Sequence, residues 1–213
     1  MRLLQTSAAA LVAAACVAPA SANLLTNPGF EDQDIVAPGG EEFFAGSGWT
    51  AFGGNTFLQD SSFGVVPNGG DQSLKMFGFS GMFQDFAINP GDTANGGIHM
   101  LNPGFDPLAN GQVAAVNIEW KGAGGADLGF ISNGTFIAGA PTDTWTLQTV
   151  TGVAPAGAEI ARLTIITGDF LPGGPGGAPY YDDAFFEITP VPEPASLGLL
   201  ALGGLAAARR RRA

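Results

Sequence analysis

The chain has 213 residues, of which 33 are glycine, 15 are proline and only one is cysteine. Its formal net charge is −11 at pH 7. Carboxylates in such excess repel phosphate backbones, and one cysteine forms no intrachain disulfide. The composition therefore excludes a nucleic-acid-binding protein and a disulfide-stabilised scaffold.

The N-terminus has the pattern of a secretory signal peptide. Arg2 supplies a positive charge, residues 11–17 lie in an apolar core, and a small-x-small sequence ends at Ala22. We expect cleavage between Ala22 and Asn23, so residues 1–22 are predicted to be removed. Cys16 leaves with them, and the mature chain has no thiol for catalysis or metal binding.

Residues 23–189 are long enough for one domain with a proper hydrophobic core. They contain 18 of the 19 acidic residues but only three of the eight basic residues, so their formal charge is −15. A carboxylate-rich surface suits an extracellular location and the binding of divalent cations. A solvated acidic face without any ligand explains the same charge.

Short runs of alternating or β-branched residues, separated by turn residues, occupy this domain. In residues 113–120, every second side chain from Ala114 to Trp120 falls on one apolar face. About ten such runs, with no helical periodicity between them, predict an antiparallel β-sandwich. The longest connection, 102–111, is predicted to lie over one end of it. The runs are 23–26, 43–44, 48–52, 56–58, 73–77, 82–88, 113–120, 128–131, 144–150, 160–167 and 181–188.

Several motifs in this domain follow a recognisable order. An Asn-Pro-Gly-Phe-Glu sequence at 27–31 follows the first run, and a Tyr-Asp-Asp-Ala-Phe-Phe sequence at 181–186 forms the last. Between them lie Gly48-Trp49, Asn89-Pro90-Gly91-Asp92 and Thr144-Trp145. The series resembles the galactose-binding-like jelly-roll modules, many of which bind carbohydrate. The resemblance implies an all-β, antiparallel jelly-roll β-sandwich whose first and last strands are neighbours.

The same resemblance implies a structural calcium ion (Ca²⁺) between the two chain ends of the domain. Calcium prefers oxygen ligands from carboxylates and backbone carbonyls. Carried over by motif, the side-chain ligands are Glu31 and Asp183, and Gly29 and Asp71 are candidates through their carbonyls. Strand alternation lets only one of Asp182 and Asp183 point toward the ion, and we choose Asp183. The alternative is a pair of surface acids at strand ends.

Aromatic rings are candidate sugar platforms because sugars stack on flat apolar surfaces. Three tryptophans are predicted to be core residues because each lies in an apolar or β-branched context: Trp49, Trp120 and Trp145. Four other rings are predicted in exposed loops: Phe57, Phe63, Phe105 and Tyr180. The face of run 113–120 opposite Trp120 is predicted to show Asn117 and Glu119. The sequence alone selects no sugar ligand among them.

Catalysis has little support in the sequence. His99 is the only histidine, and no Ser-His-Asp arrangement can be assembled around it. Glycoside hydrolysis needs two placed carboxylates, and so many acids allow a pair to be proposed anywhere. We therefore predict a protein that is not an enzyme.

The C-terminus combines a stiff triplet, an apolar run at 195–208 and a cationic end. The triplet is Pro192, Glu193 and Pro194, and the cationic end is Arg209, Arg210, Arg211 and Arg212. Arginines cross a bilayer at high cost and stay on the cytoplasmic side. The run has 14 residues, whereas a stable span needs about 20. We predict a short hydrophobic sorting helix that anchors the chain transiently in the inner membrane; the alternative is a short amphipathic or buried helix.

Residues 190–213 resemble the PEP-CTERM sorting signal of Gram-negative bacteria, in the order of triplet, apolar segment and basic cluster. The resemblance implies recognition by an exosortase-type sorting protease, cleavage near the triplet, and a final place at the cell surface or outside the cell. We expect a non-catalytic surface or matrix protein that binds extracellular polysaccharide, with calcium as a structural cofactor. A structural or adhesive protein without sugar specificity is the alternative, followed by a secreted glycoside hydrolase.

Overall fold

A computed structural model describes residues 22–37, 39–109, 111–170 and 176–191. The predicted signal peptide and sorting segment fall almost entirely outside these ranges, as do Pro192 to Pro194 and Arg209 to Arg212. Eleven strands form within the described residues: β1 (Glu41–Phe43), β2 (Thr50–Phe52), β3 (Thr56–Asp60), β4 (Gln72–Met76), β5 (Ser80–Ala87), β6 (Thr93–Leu101), β7 (Gln112–Gly122), β8 (Asp127–Ile137), β9 (Thr146–Val153), β10 (Ala158–Asp169) and β11 (Tyr180–Thr189).

The strands form two antiparallel sheets that pack face to face. One sheet has the order β1-β3-β4-β11-β6-β9, and the other has the order β2-β5-β10-β7-β8. Neighbours in each sheet come from distant parts of the chain, as β10 between β5 and β7 shows. The predicted antiparallel jelly-roll β-sandwich is confirmed.

The core lies between the sheets and follows from strand alternation. On β7, the side chains from Ala114 to Trp120 at every second position are buried, as sequence analysis predicted. Leu163 and Ile165 on β10 and Met82 on β5 face the same core. Removing these apolar side chains from water is the main stabilising contribution to the sandwich.

The first predicted run, 23–26, forms no regular strand. It still contacts the last strand, because the peptide N–H of Leu24 donates to the Phe186 carbonyl at 2.8 Å. The Asn23 side chain donates to the Ala184 carbonyl and accepts the Phe186 N–H, each at 3.0 Å. The two ends of the domain are therefore neighbours.

Strand β6 was missed by the sequence analysis. Gly96 and Gly97 interrupt its alternation and have the composition of a turn. In the sandwich, a Cβ atom on Gly96 would lie 2.7 Å from the Leu163 side chain and 2.9 Å from that of Phe186. Glycine occurs in this strand because bulky core side chains fill the space next to the backbone.

The connection between β6 and β7 crosses from one sheet to the other and so spans one end of the sandwich. Asn102 organises it, accepting the Leu108 N–H at 2.7 Å and donating to the Ala140 carbonyl at 2.9 Å. Leu108 enters the core. The predicted position of this connection agrees with the structure.

Candidate functional site

A groove runs over the outer face of the five-stranded sheet. Small side chains on β7, Val113 and Ala115, form its floor, and larger ones on the edge strand β8 and after β10 form its sides. The cavity has a volume of about 330 Å³ and is lined by Val113, Ala115, Asn117, Glu119, Phe130, Ser132, Ile166 and Phe170. Cross-strand partners in a sheet point to the same face. The groove forms because the side chains of Val113 and Ala115 are small, whereas those beside them on this face are larger.

Exposed phenylalanine rings stand at both sides of the groove. Phe130 is 67% exposed and is the cross-strand partner of Glu119. Phe170 is 50% exposed and makes an edge contact with Phe79, with ring centres 6.0 Å apart. Phe79 in turn contacts Phe52 at 5.9 Å. Half or more of the surface of Phe130 and of Phe170 is exposed within the described part of the chain, so their rings offer an apolar surface to a ligand beside the cavity.

Polar groups stand between these rings. Glu119 accepts a hydrogen bond from the Thr164 hydroxyl at 2.7 Å and pairs with Lys121 at 2.9 Å. The side-chain oxygen of Asn117 is buried and has no hydrogen-bond partner within the described residues. A buried oxygen without a donor is destabilising, so this atom is suited to accept a hydrogen bond from a bound water molecule.

A second basic side chain near the groove, Arg162, is also neutralised. Arg162 makes a two-fold hydrogen bond to Asp85, at 2.7 and 2.9 Å, and lies over the Phe83 ring with 3.6 Å to its centre. The hydrogen bond to Asp85 raises the pKa of Arg162 above its already high value, so the guanidinium stays charged. Because the guanidinium is already paired with Asp85, it is not available to bind an anionic ligand.

Two of the three tryptophans are buried, and the third is half-buried. Trp49 and Trp120 are buried in the main core, which confirms the predicted core role for these two. Trp145 is half-buried against a smaller cluster of Val65, Leu101 and Tyr180, and its ring N–H donates to the Val66 carbonyl at 2.9 Å. It packs on this second cluster and not in the main core.

Of the rings predicted in exposed loops, only Phe105 is strongly exposed. Tyr180 was predicted wrongly, because it starts strand β11 and is fully buried beneath Val65. Phe57 and Phe63 are half-buried. The exposed groove rings Phe130 and Phe170 were missed; the alternation of Leu128 and Phe130 against Gly129 and Ile131 was the available signal for the first.

The predicted calcium residues meet at a second place, where the chain ends of the domain join. Glu31 accepts the peptide N–H groups of Asp71 at 3.0 Å and Gln72 at 3.1 Å. A Cβ atom on Gly29 would lie 3.6 Å from Asp183 Oδ1 and 3.7 Å from the Glu31 side chain. Three separate parts of the chain therefore lie together: Gly29 with Glu31, Asp71, and Asp183.

Asp182 joins this acidic cluster, contrary to the alternation argument. Its Oδ2 accepts the N–H groups of Asn68 at 2.8 Å and Gly69 at 3.0 Å, while Asp183 accepts the Asn68 side-chain amide at 2.7 Å. The register of β11 shifts between Asp182 and Phe185, and Asp183 adopts the left-handed conformation with φ of 47°. This bulge directs both carboxylates toward the same turn, which contains Asn68 and Gly69.

Burial and repulsion between carboxylates raise the pKa values of two acids in this cluster, Asp182 and Glu31. Burial raises the pKa of Asp182 from 3.8 to about 7, and the charge of Asp183 adds to this effect. Burial also raises the pKa of Glu31, with smaller contributions from Asp71 and Asp183. The three basic side chains of the described domain pair with other acids: Lys75 with Glu41, Lys121 with Glu119 and Asp127, and Arg162 with Asp85.

Carboxylates without a basic partner suit a hard cation. An open cavity of about 570 Å³ beside Glu31 is also lined by Asp34, Asp60 and Asp71. Within the described ranges, no three His, Cys, Asp or Glu side chains stand close enough to hold a metal ion by themselves. Any ion here takes backbone carbonyls as further ligands, which calcium accepts. Coordination by the four predicted residues stays a prediction.

His99 lies on β6, opposite Asp182 of β11. Its Nδ1 atom is buried, and it has no hydrogen-bond partner in the part of the chain that the structure describes. A Ser-His-Asp triad needs a carboxylate that accepts from Nδ1 of the histidine, and no such contact is seen in these residues.

Comparison with known proteins identifies the C-terminus. Residues 190–212 match the PEP-CTERM protein-sorting motif, which marks an exported protein. The predicted sorting residues from Pro192 to Arg212 lie within this match. No curated protein matches the chain. Among the described residues, no helix reaches the length and apolarity needed to cross a bilayer.

Solved structures share the fold at low sequence identity. The enzymatically active domain of tailspike protein 4 from bacteriophage CBA120 is 13% identical, with 78% of this chain and 21% of that chain covered and a TM-score of 0.52. An arabinose-bound α-L-arabinofuranosidase is 16% identical, with 78% and 26% covered and a TM-score of 0.53. The chain thus spans about a fifth to a quarter of these two proteins. A carbohydrate-binding module of family 61, solved with β-1,4-galactotriose, is 14% identical, with 78% and 98% covered and a TM-score of 0.48.

Proposed function

We propose that this exported protein is a non-catalytic surface or matrix component that binds a neutral extracellular polysaccharide in the groove over β7. The observation that carries the proposal is the pairing of exposed Phe130 and Phe170 rings with the polar groups of Asn117 and Glu119 in one cavity. Carbohydrate sites combine these two features, because sugar rings have apolar faces and hydroxyl rims.

The groove favours a neutral sugar over an acidic one. Arg162 and Lys121 are held by Asp85 and Glu119, so among the described residues no unpaired cation faces the cavity. The domain around it carries a formal charge of −15, which repels uronates and sulfated sugars. Glu119 lines the cavity with a side chain that is 24% exposed, so its carboxylate can accept a hydrogen bond from a sugar hydroxyl.

Retention on immobilised polysaccharides tests this proposal. Residues 23–191 are passed over neutral and acidic polysaccharides of matched chain length, with bovine serum albumin as the reference for unspecific retention. The proposal expects retardation on at least one neutral polysaccharide and none on the acidic ones. Absence of retardation on every neutral polysaccharide contradicts it and favours the alternative, a structural or adhesive protein without sugar specificity.

We further propose a structural calcium ion at the acidic cluster. Glu31 and Asp183 are the side-chain ligands, and Gly29 and Asp71 supply carbonyls. The convergence of these residues from both chain ends and the lack of a basic partner support it. The ion would neutralise repelling carboxylates and link the two ends of a domain that has no cysteine.

The route to the cell surface forms part of the same proposal. An exosortase-type protease recognises the tail, the apolar run at 195–208 anchors it transiently in the inner membrane, and cleavage near Pro192 to Pro194 leaves the domain at the cell surface or outside the cell. The match to the sorting motif supports this route. Immunoblotting of fractions from a host with and without the protease tests it: a loss of about 2 kDa that depends on the protease is expected.

A further inference from the structure

The first residues of the sorting motif are attached to the folded domain. Strand β11 ends at Thr189, and the peptide N–H of Val191 donates to Asp92 Oδ1 at 2.9 Å. Val191 lies inside the matched motif, which begins at residue 190, and immediately precedes the Pro-Glu-Pro triplet. The contact therefore joins the β5–β6 turn to the segment that a sorting protease has to recognise.

Asp92 is built into the domain as a fixed acceptor. It is only 6% exposed, and its other oxygen accepts two hydrogen bonds from Asn89, from the peptide N–H at 3.0 Å and from the side chain at 3.2 Å. Its own carbonyl accepts the Ala154 N–H at 2.8 Å. A buried carboxylate of this kind is costly to leave without donors, so the Val191 N–H is strongly held.

The side chain of Val191 lies beside Gly91. Gly91 adopts a left-handed conformation with φ of 92°, and a Cβ atom there would lie 3.4 Å from a methyl group of Val191. The peptide N–H of Gly91 is bound to the Ala154 carbonyl at 2.9 Å, which fixes the turn. Val191 is 54% exposed, so it lies on the surface of the turn and is held mainly by its backbone.

This attachment leaves little free chain before the apolar run. Four residue steps separate Val191 from Ala195, which span at most about 14 Å when fully extended. A protease binds its substrate as an extended segment on both sides of the bond to be cut, and cleavage near residues 192–194 then needs Val191 to leave Asp92. A substrate held in this way is cut through its opened form, at a rate proportional to the population of that form.

We propose that Asp92 is a latch: it holds Val191 on the domain, and the sorting protease processes the tail only when this contact opens. Asp92 acts as a positioning residue and takes no part in the cleavage chemistry. The proposal rests on the processing stated under Proposed function, and it adds that the folded domain regulates the rate of its own release.

The test compares processing of the full chain and of Asp92→Asn in cells that express an exosortase-type protease, followed by pulse-chase immunoblotting. Asparagine keeps an acceptor oxygen but loses the charge, so the bond from the Val191 N–H becomes an ordinary neutral one. This weakening should increase the open population, and with it the processing rate, by about tenfold. The control is Asp143→Asn, which alters another turn carboxylate, the acceptor of the Gly104 N–H at 2.7 Å. This control should be processed at the original rate.

A second variant and a second readout separate the latch from other effects. Val191→Pro removes the donor and leaves Asp92 unchanged, so it should accelerate processing as Asp92→Asn does even if the latter folds poorly. Amide hydrogen exchange of Val191 in the full chain reports the contact without any protease, and the protection should fall by about the same factor in Asp92→Asn. Processing at an unchanged rate in Asp92→Asn, or an unprotected Val191 amide in the original chain, overturns the latch. A chain that is never cleaved, with Val191 protected, refutes the proposed processing and the latch's role in it.

Discussion

Asp182 and Asp183 are consecutive residues of β11, yet both carboxylates are directed at the same turn. Asp182 accepts the Gly69 N–H at 3.0 Å, and Asp183 accepts the Asn68 side-chain amide at 2.7 Å. A regular strand sends consecutive side chains to opposite faces. The bulge that brings the two together gathers like charges next to Glu31, and the stability of the domain then depends on what neutralises them.

The first prediction concerns pH. Burial raises the pKa of Asp182 from 3.8 to about 7, so between pH 4 and pH 7 the folded state binds more protons than the unfolded state. The free energy of unfolding therefore falls as the pH rises through this window. In the presence of a chelator, thermal unfolding of residues 23–191 should occur at a higher temperature at pH 5 than at pH 8.

Asp182→Asn isolates this contribution from the repulsion of the other acids. Asparagine resembles the protonated side chain and keeps an acceptor for the Gly69 N–H. The difference between the unfolding temperatures at pH 5 and pH 8 should shrink in this variant and persist in Asp106→Asn, whose exposed side chain lies outside the cluster. An identical pH dependence in Asp182→Asn and the original chain contradicts the assignment.

The second prediction concerns calcium. A ligand that binds only the folded state adds about 2.7 kcal/mol to the free energy of unfolding at a hundred times its dissociation constant. Calcium should therefore raise the unfolding temperature at pH 8, and a chelator should reverse the shift. Glu31→Ala and Asp183→Ala should abolish the response, whereas Asp106→Ala should retain it. A shift of equal size in all four proteins would point to unspecific screening of the acidic surface.

The third prediction concerns the groove. Phe130→Ala removes an exposed ring, and loss of its stacking should weaken binding of a retained neutral polysaccharide by about tenfold, or about 1.4 kcal/mol, in affinity electrophoresis. Phe105→Ala is the matched control, because Phe105 is 61% exposed but lies in the β6–β7 connection outside the groove. Equal weakening by both substitutions would mean that the sugar does not bind over β7.

The fourth prediction concerns strand β6. Gly96→Ala places a methyl group within 3 Å of the Leu163 and Phe186 side chains, and overpacking of this kind costs about 1–3 kcal/mol in chemical denaturation. Leu163→Ala makes room, so Gly96→Ala should cost less in that background. Additive losses in the double variant would show that the two side chains do not compete for the same space.

Much of the fold was accessible from local order along the chain. The alternation of residues 113–120 identifies β7 and its core face, and the same pattern places Asn117 and Glu119 outward, where the groove has them. Turn residues separate most of the other strands. These features were predictable because a side chain's face in a strand depends only on its position relative to its neighbours.

The sites depend on pairing between distant segments. The bulge at Asp183 depends on the register of β11 against β6, and the groove depends on Phe130 and Phe170 standing on either side of the small residues Val113 and Ala115. Likewise, Gly96 fits a strand only because Leu163 and Phe186 fill the space beside it.

The amino-acid order was therefore sufficient for the class of fold, the acidic surface and the sorting motif, since each arises from neighbouring residues or from composition. Only the tertiary structure revealed three features: the place of Asp182 in the acidic cluster, the phenylalanine rings of the groove, and the contact between Asp92 and Val191. Long-range register and the fit of side chains across sheets determine them, and neither leaves a periodic signal in the sequence.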